Sequence, residues 1–387
     1  MSQEHIVRVG QTIGRPGLLR GLNSLNALSL VQQEGATISA RVAASIGVSR
    51  TATEAILSDL LESGWLARVA PEEGPPLLGR PAARYDLNPH VGYLAAIEFD
   101  SSRVGVAISD FRGRILASVQ NPVPDDLDAA SRLAAAVALF EATAVASHIE
   151  YSEIRCVAVA SPGSLQDGKV LHFGGHGMPG WIGVDLGEQL RAALNLPVVA
   201  EGDSALAALA ERRLGAGRQT ASFVYIYASQ RTGAAIVSDG RLLRGAHGAV
   251  GLVGELPELR WRELETAFYS DTPVEDSAAI IGLGISAMVL AVDPELVLIG
   301  GPNLARIEQV IDAIREEVAR RCPIPPRVAM AQFGADAVMQ GAICLAVDTV
   351  NAALSSAVSQ GGALPQPNQV GALLRDAGSL TRVTAAK

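Results

Sequence analysis

Five polar residues at the start of one short helix are well placed to make specific hydrogen bonds to an outside partner. They are Ser49, Arg50, Thr51, Thr53 and Glu54. Ser49 can cap the helix, and the residues after it lie on its first turns with hydroxyl, guanidinium and carboxylate groups. These groups complement the donors and acceptors that base edges present in the major groove of DNA. The helix is therefore predicted to read DNA sequence.

The segments around this helix predict a winged helix-turn-helix over Ile38 to Asp86. Three helices follow from apolar residues at spacings of three and four, at Leu22, Leu25, Leu28 and Val31, at Val42, Ala43 and Ile46, and at Ile56, Leu57, Leu60 and Leu61. Gly47 and Gly64 are expected to end the second and third helices. The runs Trp65 to Val69 and Ala83 to Leu87 are typical of the two strands of a wing.

The predicted tip of the wing, Pro71 to Pro81, carries one arginine between a glycine and a proline. Pro81 stiffens the backbone and Gly79 allows close approach, so Arg80 is expected to reach a minor groove or a phosphate. Arg41 and Arg84 complete the predicted DNA contacts. The alternative is an ordinary interaction module, three apolar helices and a hairpin, with a solvated arginine.

Charge divides the chain of 387 residues into a small head and a larger body. Residues 1–90 hold eight arginines and eight acidic residues, whereas the rest holds 23 basic and 32 acidic residues, which is the whole net charge of −9. Because an acidic body repels phosphate, specific contacts and dimer geometry must contribute more to DNA binding. We predict a winged helix-turn-helix domain with an N-terminal arm over 1–88. The body, 89–387, is expected to form lobes of about 89–200 and 201–387.

The sequence indicates a cytoplasmic, nucleoid-associated protein without a membrane segment. Glu4 and Arg8 interrupt the N-terminus, which has no apolar signal-peptide core, and no uninterrupted apolar run reaches spanning length. Cys156, Cys322 and Cys344 stand far apart and match neither a disulfide framework nor a zinc spacing. They are expected to be core thiols.

The body is predicted to be an α/β protein that repeats one order of elements. The first half has strands at Leu94 to Phe99, Val104 to Ser109, Arg114 to Val119 and Cys156 to Ala160, and helices at Asp128 to His148 and Leu186 to Leu194. The second half has strands at Ser222 to Tyr227, Gly233 to Val237, Arg241 to Leu243 and Leu296 to Ile299, and helices at Asp276 to Val292, Arg306 to Arg321 and Asp336 to Ser355. Two βββαβα lobes make an actin-like, sugar-kinase-like body. Beyond Gln360 we expect a loose tail.

Short motifs along the body occur in an order that is known from one family. They are Ser161-Pro162-Gly163, Pro179-Gly180-Trp181, the stretch Glu201 to Glu211, Gly245-Ala246-His247-Gly248 and Gly300-Gly301. Gly79-Arg80-Pro81 after the wing adds to this order. On these motifs nearly the whole chain resembles the ROK family, which unites sugar kinases with winged-helix repressors of sugar metabolism. The head resembles the regulator branch, such as xylose- or N-acetylglucosamine-type repressors.

The resemblance implies an ATP site whose phosphate-binding glycines are missing here. Kinases of the family have an Asp-x-Gly-Gly-Thr turn, where this chain has Glu98-Phe99-Asp100-Ser101-Ser102, and Asp100 would place a like charge beside a phosphate. A second phosphate turn retains one glycine in Ser229-Gln230-Arg231-Thr232-Gly233. The family's catalytic base corresponds to Asp203, which can instead accept a ligand hydroxyl or cap its helix. We therefore expect no enzyme activity and no cofactor.

The resemblance also implies a zinc loop and a sugar site, and both are altered. Leu252 occupies the position of the family's sugar-binding Glu, and Glu255 occupies the position of its zinc-binding His. No cysteine lies between Glu255 and Glu265. No metal is expected. For a sugar-like effector, the candidate contacts are Gly163, Asp203, His247, Glu255 and Glu265. The competing interpretation is a cleft that has lost its ligand.

The sequence as a whole predicts a homodimeric or homotetrameric transcriptional regulator, most simply a repressor of carbohydrate-related genes. Its partners would be a double-stranded DNA operator and a sugar-like effector between the lobes. The helices Arg306 to Arg321 and Asp336 to Ser355 are candidate dimer surfaces, or else core. The alternatives are an ATP-dependent sugar kinase with a fused head and a protein-binding scaffold.

Overall fold

The computed structural model describes residues 16–70, 82–229, 232–261 and 274–376. The head contains helices α1 (Pro16–Glu34), α2 (Ser39–Ile46) and α3 (Arg50–Glu62). Its small sheet has the order β1-β3-β2, from β1 (Thr37–Ile38), β2 (Leu66–Val69) and β3 (Arg84–Leu87). These elements form the predicted winged helix-turn-helix, and the wing tip Pro71 to Pro81 lies outside the described residues.

Local sequence signals fix the helix-turn-helix geometry as predicted. Gly47 ends α2 in the left-handed conformation, with φ of 71°, and Ser49 caps α3 because its Oγ accepts a hydrogen bond from the Ala52 amide at 3.3 Å. Ile56 and Leu60 are buried against the other head helices. The buried stripe therefore sets which face of α3 points outward.

The first lobe is built on a five-stranded sheet in the order β10-β7-β4-β5-β6. Its strands are β4 (Tyr93–Phe99), β5 (Arg103–Asp110), β6 (Ile115–Pro122), β7 (Ile154–Ser161) and β10 (Val198–Gly202), its helices are α4 (Ala129–Ala146) and α5 (Leu186–Leu194), and a hairpin is formed by β8 (Ser164–Gln166) and β9 (Lys169–His172). Strands β4, β7 and β10 pair in parallel. Their carboxyl ends therefore meet at one edge of the sheet.

The second lobe repeats this plan with a sheet in the order β13-β12-β11-β14-β15. Helix α6 (Asp203–Arg213) leads into it, its strands are β11 (Phe223–Tyr227), β12 (Gly233–Ser238), β13 (Arg241–Leu242), β14 (Leu296–Gly300) and β15 (Arg327–Met330), and its outer helices are α7 (Val274–Val292) and α8 (Leu304–Arg321). The predicted βββαβα order is thus present in both lobes.

The long helix α9 (Ala337–Ser359) corrects the predicted lobe boundary. It packs on α6 and also on β4 and β7 of the first sheet, although residues 201–387 were predicted to form the second lobe. A Cβ at Gly341 would overlap the Leu206 carbonyl oxygen, so α9 and α6 approach each other closely there. Most of α9 is buried, and it is therefore core rather than a dimer surface.

The head and the first lobe share one hydrophobic core. Trp65 is fully buried, its ring centroid lies 5.5 Å from that of Phe111 in the β5–β6 turn, and its Nε1 donates to the Pro365 carbonyl oxygen at 2.7 Å. Arg112 in the same turn donates to the Val31 carbonyl oxygen at 3.0 Å. Residues 361–376 are packed rather than loose, since Pro365 accepts the Trp65 hydrogen bond and α10 (Val370–Asp376) packs on β7, and the rest of the expected loose tail, 377–387, lies outside the described residues.

Two described helices, α4 and α9, are long and apolar enough to cross a membrane by length and composition. Charged residues interrupt both, Arg132 and Glu141 in α4 and Asp348 in α9, so neither is an uninterrupted apolar run. Both helices are packed within the fold, since α4 lies against β5 and α9 lies against α6 and β4. Core helices of globular proteins commonly share this composition.

Candidate functional site

The first turns of α3 present a polar surface to solvent. Ser49, Arg50, Thr51 and Glu54 are exposed, as predicted. Thr53 is 0% exposed, and its Oγ1 donates to the Ser49 carbonyl oxygen at 3.0 Å. The prediction that Thr53 is available to DNA is therefore wrong, because position 53 precedes Ile56 and Leu57 by three and four residues and shares their buried face.

Two of the other predicted DNA contacts, Arg41 and Arg84, already form an ion pair or a hydrogen bond within the head. Arg41 is exposed but forms an ion pair with Glu34. Arg84 is half-buried in β3 and donates to the Ala36 carbonyl oxygen at 3.0 Å. Arg80 lies outside the described residues. Arg50 is the exposed arginine at the first position of α3, which makes it the strongest candidate for base contact.

A cavity of about 130 Å³ lies between the lobes, where the carboxyl ends of the first sheet face α6 and β12. Three predicted effector contacts line it, namely Gly163, Asp203 and Glu255. His247 is exposed and does not line the cavity, although the adjacent Gly248 does, so contact between His247 and an effector stays a prediction. Glu265 is not among the described residues.

Polar side chains that the sequence did not indicate complete the cavity. His172 at the end of β9 lies 3.1 Å from Glu255, measured from Nε2 to Oε1. Glu201 also lines the cavity, and its Oε2 accepts a hydrogen bond at 2.6 Å from the Nε of Arg244, which is not itself a lining residue. Both pairs join segments far apart in sequence, so local spacing gave no signal for them. The cavity lining therefore combines the carboxylates of Glu201, Asp203 and Glu255 with the imidazole of His172, a polar set that suits a hydroxylated ligand.

The turn between β4 and β5 satisfies its own hydrogen-bonding groups. Asp100 Oδ1 accepts hydrogen bonds from the Ser102 amide at 3.1 Å and from the hydroxyls of Ser101 and Ser102 at 3.3 and 3.2 Å. In a phosphate-binding turn, backbone amides point at the anion. Here a carboxylate of the chain itself takes that place at the Ser102 amide.

A carboxylate is buried beneath this turn. Glu98 is 2% exposed, and its Oε1 accepts a hydrogen bond from Arg103 Nη2 at 2.9 Å. Burial is the largest influence, and it raises the pKa of the Glu98 carboxyl from 4.5 to about 7 despite the opposing effect of Arg103. Glu98 is therefore largely protonated in mildly acidic solution.

Replacing Glu98 with glutamine is expected to make protein stability less dependent on pH. Because the folded pKa lies above the ordinary value, the wild-type protein loses stability as the pH rises from about 4.5 to about 7. The free energy of unfolding falls by on the order of 3 kcal/mol in the wild type, and it should not fall in this way in the variant because the glutamine amide does not ionise. Urea denaturation at pH 5 and pH 8 measures the free energy of unfolding of both proteins, and Glu316→Gln, at an exposed position, is the matched control. The account would be contradicted if the Glu98→Gln variant, compared with the wild type, were destabilised more at pH 8 than at pH 5.

Sequence comparison finds known proteins that are similar to part of this chain. A ROK family model matches residues 94–258. An uncharacterized protein of Clostridium perfringens is 26% identical over 225 residues, 48% of this chain and 76% of that protein. The bifunctional enzyme NanE/NanK of Brucella suis is 30% identical over 195 residues, and N-acetylmannosamine kinase of Escherichia coli is 37% identical over 98 residues. The chain spans only 37% and 33% of those two enzymes.

Solved structures show the same fold. A ROK family transcriptional regulator, a homolog of the E. coli MLC protein, superposes with a TM-score of 0.64 at 17% identity and covers 95% of this chain and 100% of its own. ROK hexokinase from Thermus thermophilus superposes with a TM-score of 0.51 at 23% identity and covers 65% of this chain and 97% of its own. The predicted actin-like, sugar-kinase-like fold is thus confirmed, and the chain contains a ROK family domain over residues 94–258.

Proposed function

We propose that this protein is a sequence-specific DNA-binding transcriptional regulator, a repressor of carbohydrate-related genes that is active in the cytoplasm at the nucleoid. The observation that carries the proposal is the capped α3 helix, whose exposed first turns present Ser49, Arg50, Thr51 and Glu54 within a winged helix-turn-helix. Helices of this kind enter the major groove by their N-terminal residues. The likeness of nearly the whole chain to a ROK transcriptional regulator supports the same proposal at the level of fold.

We further propose that the body does not transfer phosphate. Support comes from the β4–β5 turn, where Asp100 accepts a hydrogen bond from the Ser102 amide and brings negative charge to the position of a phosphate. Phosphoryl transfer depends on positioned phosphates and metal. The alternative is an ATP-dependent sugar kinase with a fused head, and it is favoured by the relatives named as kinases and by Asp203 at the cavity.

The cavity is proposed to bind a sugar-like effector. Helix α6 begins at Asp203 in the cavity wall, α9 packs on α6 through Gly341, and Val358 near the far end of α9 contacts Gly21 of α1 in the head. A continuous series of packed helices thus joins the cavity to the head. Regulation through it requires that the effector bind one arrangement of the lobes more tightly than another.

Selection of duplexes from a random DNA pool by the full-length protein tests the regulator function. We expect enrichment of a palindromic sequence that also occurs in the promoter region of the protein's own gene, and a change in its affinity with one member of a panel of sugars. The same panel with ATP should show no sugar-dependent turnover. Failure to enrich any sequence would contradict the regulator proposal, and ATP turnover that vanishes with Asp203→Asn would support the kinase.

A further inference from the structure

The cavity between the lobes has an acidic lining. Its described residues include three carboxylates, from Glu201, Asp203 and Glu255, and one imidazole, from His172, but no lysine or arginine. Arg244, which is not a lining residue, pairs with Glu201 and balances one of these charges. The surface that the described lining offers to a ligand therefore carries more negative than positive charge.

This charge disfavours anionic ligands. A phosphate or carboxylate group in the cavity would lie beside carboxylates of like charge, and such contacts lower affinity. Anion sites are commonly built from arginine or from the open amides of a helix N-terminus. Helix α6 does begin in the cavity wall, but the Ser204 amide in its first turn already donates to Asp203 Oδ1. A carboxylate of the chain itself therefore takes the place of an anionic ligand there.

The carboxylate of Glu255 is positioned at the cavity by residues of the first lobe. A Cβ at Gly174 would lie 2.3 Å from Glu255 Oε1, so the carboxylate fits against this backbone because position 174 has no side chain. His172 Nε2 lies 3.1 Å from the same oxygen. The Glu255 side chain is nevertheless 35% exposed, which leaves it accessible to a ligand in the cavity.

Two aromatic side chains lie beside these polar groups. Phe173 of the first lobe and Trp261 of the second line the same cavity. Aromatic rings provide apolar contact area and attract cations to their faces. Carboxylates accept hydrogen bonds from hydroxyl groups and form stronger, charge-assisted ones with ammonium groups. The lining thus suits a ligand that has hydroxyl groups, an apolar face and a positive charge.

We propose that the effector of this cavity is a sugar that carries a free amine, rather than a neutral sugar or a sugar phosphate. The inference rests on the proposed function, because it names the chemical class of the effector proposed there. Arg244 already balances the charge of Glu201. The amide and hydroxyl of Ser204 already donate to Asp203 Oδ1. The ammonium group is therefore assigned to Glu255, and hydroxyl groups to the other two carboxylates.

Isothermal titration calorimetry of the full-length protein at about pH 7 tests the proposal. Glucose, mannose and galactose are each compared with their 2-amino, 2-acetamido and 6-phosphate derivatives. The free amine is largely protonated at about this pH, whereas the acetamide is uncharged. In at least one series we expect the amine to bind about 10-fold more tightly than the parent sugar and the acetamide, because its hydrogen bond to a carboxylate is charge-assisted. The phosphate should bind more weakly than the parent sugar.

Two variants test the assignment of the ammonium group. Glu255→Gln keeps the shape of the side chain and removes its charge, so the ratio of amine affinity to parent affinity should fall to about one. Gly174→Ala should lower the same ratio, because the added Cβ displaces the Glu255 carboxylate. Glu258→Gln is the matched control, since Glu258 is exposed in the adjacent turn and does not line the cavity. It should keep the full preference, and circular dichroism verifies that all three variants are folded.

The possible results separate failure of this inference from failure of the proposed function. Tightest binding by a parent sugar, an acetamide or a phosphate would overturn the amine assignment while it supports an effector in the cavity. A preference for the amine that persists in Glu255→Gln would also overturn it. Absence of binding by every probe would contradict both this inference and the proposed effector. The selection of DNA sequences would still decide whether the protein is a regulator.

Discussion

Replacing Arg50 with alanine is expected to lower affinity for the operator about 10- to 100-fold, because one bidentate contact between a guanidinium and a base is worth about 1–3 kcal/mol. Arg50 is the only cationic residue in the sequence of α3, and it is exposed at the first helical position. Affinity for unrelated duplexes should change little, since a base contact contributes to sequence discrimination. Fluorescence anisotropy with the selected operator and a scrambled duplex measures both affinities.

Two further arginines provide the controls for this experiment. Arg41 is held by Glu34, so Arg41→Ala should have a smaller effect that is similar for both duplexes, as expected of a phosphate contact. Arg315 lies on α8 in an ion pair with Asp312, remote from the head, and Arg315→Ala should leave both affinities unchanged. An Arg50→Ala protein that binds the operator as the wild type does would remove Arg50 from the reading surface.

Replacing Trp65 with alanine is expected to destabilise the protein by about 3–5 kcal/mol, the usual cost of removing a fully buried aromatic side chain. The loss should affect the head and the first lobe together. Trp65 packs on Phe111 of the body and donates to the Pro365 carbonyl oxygen while it closes the core of the head. Trp65→Phe keeps most of the packing and should lose mainly the hydrogen bond, worth about 1 kcal/mol.

Chemical denaturation followed by two probes tests this coupling. Fluorescence of Trp181 and Trp261 reports on the two lobes, and operator binding reports on the head. In Trp65→Ala we expect the midpoints of both transitions, by fluorescence and by operator binding, to shift to lower denaturant concentration. An unchanged body transition, with loss of DNA binding alone, would show that the head unfolds independently and would contradict a shared core.

The head was predictable from sequence because its signals are local. A glycine that ends α2, a serine that caps α3 and a stripe at helical spacing lie within a few residues of one another. Thr53 shows the limit of this reasoning. Its polar type suggested an exposed contact, whereas its position on the helix puts it on the buried face, where its hydroxyl bonds to the Ser49 carbonyl oxygen.

The cleft and the C-terminal region were less predictable because their contacts join distant segments. Gly163, Asp203 and Glu255 were found through motifs, but the pairing of His172 with Glu255 depends on how the β8–β9 hairpin meets the second lobe. The periodicity of α9 predicted a helix correctly. It gave no information on which sheet the helix would cover, and α9 packs on the first.

The hydrogen bond from Trp65 to Pro365 has a consequence for biosynthesis. The two residues are 300 positions apart. At the usual elongation rate of about 5–20 residues per second, the ribosome adds Pro365 roughly 15–60 seconds after Trp65. The hydrogen bond that covers the Trp65 indole can therefore form only after Pro365 has left the ribosome.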